Sequence, residues 1–296
     1  MQKKEILEKN KINSILNNIK SKNEATTILV GNQKGGVGKT TNSCLIAYTL
    51  ANMGIKTLVA DLDPQSNSTK MLVLTRDNVK DDLTILNKTI MSGIEDNSLE
   101  DLPINIMDNL DLLPSHVDFK GFPKYIYKNT DNDYDEDHVL EPLFKPLKKK
   151  YDVIILDTPP LSKEINDNAV IMSDYVLISL QTQQGSLDGA TDYINDTLIP
   201  LVQEYDLKDI EVVGILPMLT DDRNRVDNET IEKASESFGE KNMFKNVINQ
   251  MARIKRFPVL GITNDNMYEH RIMHKYQLVT NELILRIGLF MSGSEK

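Results

Sequence analysis

The chain has 296 residues, 40% hydrophobic and 26% charged, with a net charge of −10 and one cysteine. That length can bury one large α/β core with appendages, a single cysteine excludes an internal disulfide, and no apolar run reaches the ~18 residues of a membrane-spanning helix. Overall acidity opposes a uniform nucleic-acid or membrane surface, so any such surface has to be local.

Residues 1–24 carry six lysines against three glutamates, and Ile12, Ile15, Leu16 and Ile19 recur at i, i+3, i+4 and i+7. This spacing predicts a basic amphipathic helix. It could pack on the main body, pair with a second subunit, or touch DNA or lipid. The opening Met-Gln-Lys-Lys-Glu has no apolar signal region, so a cytoplasmic protein is the expectation. The organisation read from the pattern is a helix at 1–24, one domain at 25–290 and a polar tail at 291–296.

Thr26-Thr27-Ile28-Leu29-Val30 reads as a buried strand, and Asn42 to Asn52 has helical spacing. Between them Gly31-Asn32-Gln33-Lys34-Gly35-Gly36-Val37-Gly38-Lys39-Thr40-Thr41 forms a glycine-rich loop of the phosphate-binding kind, with Gln33 standing at one candidate glycine position. Glycines allow backbone N–H groups to converge on phosphate oxygens, and the helix that follows adds its positive dipole end. Lys39 is placed to reach β and γ phosphates and Thr40 to bind Mg²⁺. Cys44, on that helix, reads as a small core residue.

Next, Lys56 to Ala60 forms a parallel-type strand that ends in Asp61-Leu62-Asp63-Pro64-Gln65, with its carboxylates at the end where open α/β sheets place ligands. Asp63 could equally cap the turn before Pro64. Leu110 to Ser115 suggests another core strand, Asn129 to His138 a solvated acidic loop, and 139–150 a helix with a lysine-rich end. Tyr151-Asp152-Val153-Ile154-Ile155-Leu156-Asp157-Thr158-Pro159-Pro160 describes a central strand delivering a carboxylate to the sheet edge, as a Walker B strand does. Asp157 is the Mg²⁺ candidate, and Thr158-Pro159-Pro160 a stiff segment beside it. Further strands are expected at Tyr175 to Leu180 and Glu211 to Leu216.

From Lys241 to Lys275 the charge reverses: Lys241, Lys245, Arg253, Lys255, Arg256, Arg271 and Lys275 face only Asp265 and Glu269. Such a cluster suits phosphate contacts without base reading, while a solvated basic face is the plain alternative. Residues 267–290 form a last apolar-rich helix, expected to pack on the domain rather than anchor in lipid.

The second lysine of the loop, Lys34, is not needed by an ordinary phosphate loop. Lys34-Gly35-Gly36-Val37-Gly38-Lys39-Thr40 resembles the deviant Walker A motif of the ParA/MinD ATPases. Asp61-Leu62-Asp63-Pro64-Gln65, Asp157-Thr158-Pro159-Pro160 and Leu187-Asp188-Gly189 follow in that family's order. The absence of cluster-forming cysteines separates the chain from the iron–sulfur branch of the superfamily. The resemblance spans roughly residues 25–290 and implies a doubly wound, mostly parallel sheet flanked by helices.

It further implies Mg²⁺-dependent ATP hydrolysis, with Lys34, Lys39 and Asp63 as catalytic residues and Gly35, Gly36, Val37, Gly38, Thr40 and Thr41 around the phosphates. Pro217 and Met218 would lie near adenine, although relatives often carry Thr or Asn at the second position. Thr40, Asp61 and Asp157 would organise Mg²⁺, and Lys34 would cross to the nucleotide of a second subunit. The family output would be an ATP-dependent homodimer on nonspecific double-stranded DNA through Arg253, Lys255, Arg256, Arg271 and Lys275. A ParB-like centromere-binding protein would stimulate it, and the protein would be cytoplasmic and nucleoid-associated when ATP-bound. A MinD-like membrane-positioning ATPase and a nucleotide switch with negligible turnover are the alternatives. Ser179 departs from the family pattern, where proline is common.

Overall fold

Among the described residues eight strands form one sheet in the order β3-β4-β2-β5-β1-β6-β7-β8. The computed structural model describes residues 2–293 other than 183, 222 and 252, with the side chains of residues 2–4 and 184 left out. The strands are β1 (Thr26–Gly31), β2 (Thr57–Asp61), β3 (Ile104–Met107), β4 (Leu110–Leu113), β5 (Val153–Asp157), β6 (Tyr175–Gln181), β7 (Glu211–Thr220) and β8 (Ile248–Asn249). All pair in parallel except β3, which runs antiparallel to β4 at the edge. This is the doubly wound sheet that the sequence pattern and resemblance imply.

The three central strands are buried along their whole length, because helices cover both faces. Ile28 and Val30 of β1 point into one layer and Leu29 into the other. The first layer contains the helix after β1 (Lys39–Asn52), the helix after β2 (Asn67–Lys80) and the long C-terminal helix (Met267–Met291). The second layer is built on helices including Leu140–Lys150 and Lys163–Ile171. Continuous apolar runs such as Val-Ile-Ile-Leu in β5 are what two-sided burial selects.

The N-terminal helix spans Gln2–Lys20. Ile12, Ile15, Leu16 and Ile19 are buried in the same core as the C-terminal helix. A Cβ at Gly288 would lie 2.4 Å from Ile15 Cδ1, so the two helices approach closely only because position 288 is glycine. The second half of this helix is therefore a packed part of the main body, while Ile6 and Leu7 are 59% and 61% exposed. Of the polar tail expected at 291–296, residues 294–296 lie outside the described residues, and the C-terminal helix runs through Met291.

Three local expectations change. Within 129–138, Asp133–Asp137 forms a short helix capped by the Asn132 side chain, and Tyr205 Oη donates to Asp137 at 2.7 Å. Acidic residues favour a helix start, and the aromatic contact holds the turn on the body. Strand β3 was not expected, and β7 continues four residues past Leu216 because Pro217 and Met218 pair with Leu180 and Gln181 of β6.

Candidate functional site

Parallel register brings the chemistry to one edge. Asp61 of β2 aligns with Asp157 of β5, and Asp157 aligns with Val30 of β1, one residue before the glycine loop. The chain turns to opposite sides of β1 on leaving β1 and β5, so the loop sits at the switch point where open sheets bind ligands. Gly36 and Gly38 adopt φ values of 79° and 90°, a left-handed backbone that favours glycine and curls the loop into a cradle. The helix beginning at Lys39 follows directly.

Lys39 is 7% exposed, and its Nζ donates to the carbonyls of Asn32 (2.9 Å) and Lys34 (3.3 Å). Burial lowers its pKa to about 8, against the opposing fields of Asp157 and Asp63. A buried ammonium bonded to loop carbonyls, with glycine amides around it, is a donor set that fits polyphosphate.

Asp157 is 1% exposed and accepts from Ser68 Oγ at 2.6 Å; the Thr40 hydroxyl also bonds it. Burial raises its pKa to about 6, opposed by the Ser68 and Thr40 hydrogen bonds and by Lys39. Among the described residues no group of three or more His, Cys, Asp or Glu could hold a metal. A Thr and a single carboxylate fit Mg²⁺, which takes the rest of its octahedron from water and phosphate. The Thr158 hydroxyl beside them is buried with no partner among the described residues.

The other acidic residues divide. Asp61 is fully buried, with Oδ2 accepting from Thr69 N (2.8 Å) and Thr69 Oγ1 (2.7 Å) and Oδ1 from Asp63 N (3.1 Å). Burial and then Asp157 raise its pKa to about 8. Both oxygens thus help to fix the loop after β2. Asp63 is half-buried and accepts from Gln65 N at 2.8 Å. It lines one depression together with Gln65, Pro159 and Pro160, so the segments after β2 and β5 meet there.

Lys34 is exposed, and its backbone N–H is held by Asn32 Oδ1 at 2.7 Å. Asn32, 2% exposed, also donates to the carbonyls of Ser179 (2.9 Å) and Ser186 (3.2 Å), stapling the loop to the end of β6. Sequence reasoning missed Asn32; a polar residue held between a strand end and a glycine turn was the available signal.

Pro217 and Met218 lie at the end of the β7–β6 pairing, where base contact would fall to backbone groups and packing. Both are buried in β7, and a Cβ on Gly38 would lie 2.6 Å from Met218 Cε. The Met218 side chain therefore packs against the loop at Gly38. The strand extension past Leu216 is the cause, since alternation turns residue 218 inward. Leu219 follows at φ 56°, a left-handed conformation rare for a bulky residue, at a register shift between β7 and β8.

Of the basic residues, Lys255, Arg256 and Arg271 are exposed and Lys275 is half-buried. Arg253 Nη1 lies 3.8 Å from Glu269 Oε1, with its side chain 34% exposed. Its charge is thus partly balanced within the chain. The cations lie on the turn at Ile254–Arg256 and on the first turns of the C-terminal helix.

The pKa shifts predict a bell-shaped pH dependence for Mg²⁺–nucleotide binding. As pH falls, the buried Asp157 and Asp61 carboxylates take up a proton above the usual carboxylate range, and affinity for the cation is lost. Above about 8 free Lys39 loses its charge, so affinity falls again. Calorimetric titration from pH 5 to 9.5 measures both limbs, and a flat profile would contradict the roles given to these residues.

Residues 25–212 match the AAA domain family. The sporulation initiation inhibitor protein Soj of Bacillus subtilis (strain 168) is 30% identical over 237 residues, covering 79% of this chain and 88% of Soj. The chromosome partitioning protein ParA of Myxococcus xanthus (strain DK1622) is 30% identical over 240 residues, covering 79% of this chain and 78% of ParA. In fold, the chain resembles a plasmid partition protein of Borrelia burgdorferi B31 bound to AMPPNP, with a TM-score of 0.67 at 23% identity over 90% of this chain and 99% of the other. With its glycine loop, its aligned carboxylates and these relatives, the chain belongs to the ParA/MinD family of P-loop ATPases.

Proposed function

We propose that this ParA-type ATPase works as a Mg²⁺-dependent partition switch, in which ATP joins two subunits and the joined form holds DNA. The observation that carries the reading is the convergence of buried Lys39 and Asp157 with half-buried Asp63 beside an exposed second lysine, Lys34. Lys39 and the amides of Gly35 to Thr41 hold phosphates, while Thr40 and Asp157 hold Mg²⁺, which when bound supplies charge neutralisation at the phosphates. Asp63 orients the attacking water, and Asp61 fixes the loop that carries Asp63. Lys34 reaches a second subunit. Leu161, 83% exposed on the switch after β5, is the kind of apolar residue that a partner subunit covers.

Lys255, Arg256 and Arg271, with Arg253 and Lys275 behind them, form the DNA face, and a ParB-like protein is the partner that accelerates turnover. The ATP-bound form would associate with the nucleoid. No helix among the described residues is long and apolar enough to cross a membrane. Binding to random duplex DNA should require ATP rather than ADP. In the Lys255→Ala, Arg256→Ala, Arg271→Ala triple variant the slope of log K against log salt should fall by about 3. An unchanged slope, measured by fluorescence anisotropy, would move the DNA surface elsewhere, with the lysines of the N-terminal helix next in line.

A further inference from the structure

Three fully buried side chains connect the C-terminal helix to the phosphate loop. Tyr276 Oη donates to Asn42 Oδ1 at 3.0 Å, Asn42 Nδ2 donates to Ser179 Oγ at 3.0 Å, and Ser179 Oγ donates to the Val37 carbonyl at 2.6 Å. All three are 0% exposed. The protons run one way, from the phenol on the C-terminal helix, through the helix after the loop and strand β6, into the loop backbone. The phenol donates to the buried amide oxygen of Asn42, so losing it takes away that oxygen's hydrogen bond to the C-terminal helix.

The end of this chain matters because of what a peptide unit is. In a planar trans peptide the C=O and the following N–H point in opposite directions. Fixing the Val37 carbonyl onto the buried Ser179 therefore turns the Gly38 N–H to the opposite side, away from Ser179. Gly38 has no Cβ and sits at φ 90°, so its backbone alone does not lock this orientation. Met218 closes the same spot from below, with Sδ 3.8 Å from Tyr276 Oη.

We propose that Tyr276, Asn42 and Ser179 are a positioning relay that holds the Val37–Gly38 peptide with its N–H toward the phosphates, so that the C-terminal helix sets nucleotide affinity. The proposal rests on the nucleotide-binding reading of the loop. An amide aimed at a phosphate oxygen that does not react holds ground state and transition state alike, so its loss raises KM and leaves kcat nearly unchanged.

The test is a double-mutant cycle in the full chain with Tyr276→Phe and Ser179→Ala, read by calorimetric binding of Mg-ADP and by steady-state kinetics. Each single variant should weaken ADP binding about tenfold, and the double variant about tenfold again rather than a hundredfold, because either change breaks the same relay. KM should rise with kcat within about twofold. Single-variant affinities equal to that of the unmutated chain, multiplying effects in the double variant, or a loss confined to kcat would each overturn the relay. The variants sit at opposite ends of the network, so failure of one to fold leaves the other to decide. An unmutated chain that binds neither Mg-ADP nor Mg-ATP would refute the nucleotide reading and the relay together; binding without the stated pattern would refute the relay alone.

Discussion

Replacing Lys39 by alanine should lower ATP affinity by at least ~100-fold while leaving the fold in place. The size follows from the setting. Lys39 is buried, and its ammonium donates to the carbonyls of Asn32 and Lys34 rather than to a carboxylate. Such a cation gains most when an anion enters, since the desolvation cost is already met in the folded protein. That cost is legible in its pKa, lowered from 10.5 to about 8 by burial, which corresponds to about 3 kcal/mol against the charged form. It is present in full below the folded-state value of about 8 and fades as pH rises from there to 10.5. Alanine removes the cost along with the hydrogen bonds, so the apo variant should unfold within about 3 °C of the unmutated protein. The shift in unfolding temperature on adding Mg-ATP should vanish. A Lys39→Ala protein that keeps this shift would show that the loop does not bind phosphate through Lys39.

The legible and illegible parts of the site differ in sequence distance. Lys39, Thr40 and the glycines occupy one short stretch, and Asp61 and Asp157 each end an apolar run, so local pattern was enough to find them. Their different duties were not visible. Asp61 and Asp157 look alike in sequence, yet the Thr69 side chain and backbone both donate to one oxygen of Asp61, while Asp157 accepts from Ser68 on the same helix and from the Thr40 hydroxyl of the loop helix. Only packing between the second and third helical segments separates them.

The Tyr276 relay lies further out of reach. Asn42 is 137 positions from Ser179 and 234 from Tyr276 in sequence, and no periodicity reports a contact at that separation. Ser179 lies in the apolar run of a buried strand, and what its hydroxyl does there was not legible in sequence. The fold shows the same division. Strands buried on both faces announce themselves as apolar runs, whereas β3 is a four-residue edge strand with a half-exposed pattern, and β8 has two residues. Pro217 suggested that β7 had ended. Pro217 still pairs with Leu180 of β6, so the strand continues and turns Met218 under the loop.

The Asp63→Ala variant should retain ATP binding within about threefold and lose turnover by at least ~100-fold, the usual range for removing a general base or water-orienting group. Two roles for Asp63 compete. Its Oδ1 accepts from Gln65 N at 2.8 Å, which is the geometry of a side chain stabilising its own turn. Its charge also acts on Lys39 and Asp157, which places the carboxylate within the electrostatic reach of the phosphate and metal residues. Alanine removes both roles at once. Asparagine separates them, because its carbonyl oxygen can still accept from Gln65 while the negative charge and basicity are gone.

If Asp63 orients and activates water, Asp63→Asn should be as inactive as Asp63→Ala, and both should accumulate as ATP-bound dimers by light scattering. If the residue only shapes the turn, Asp63→Asn should hydrolyse ATP at the normal rate and Asp63→Ala should be the sole slow variant. Normal turnover in the asparagine variant would therefore remove Asp63 from the chemistry. It would leave Lys34, the exposed lysine of the loop, as the group on which hydrolysis in the dimer depends.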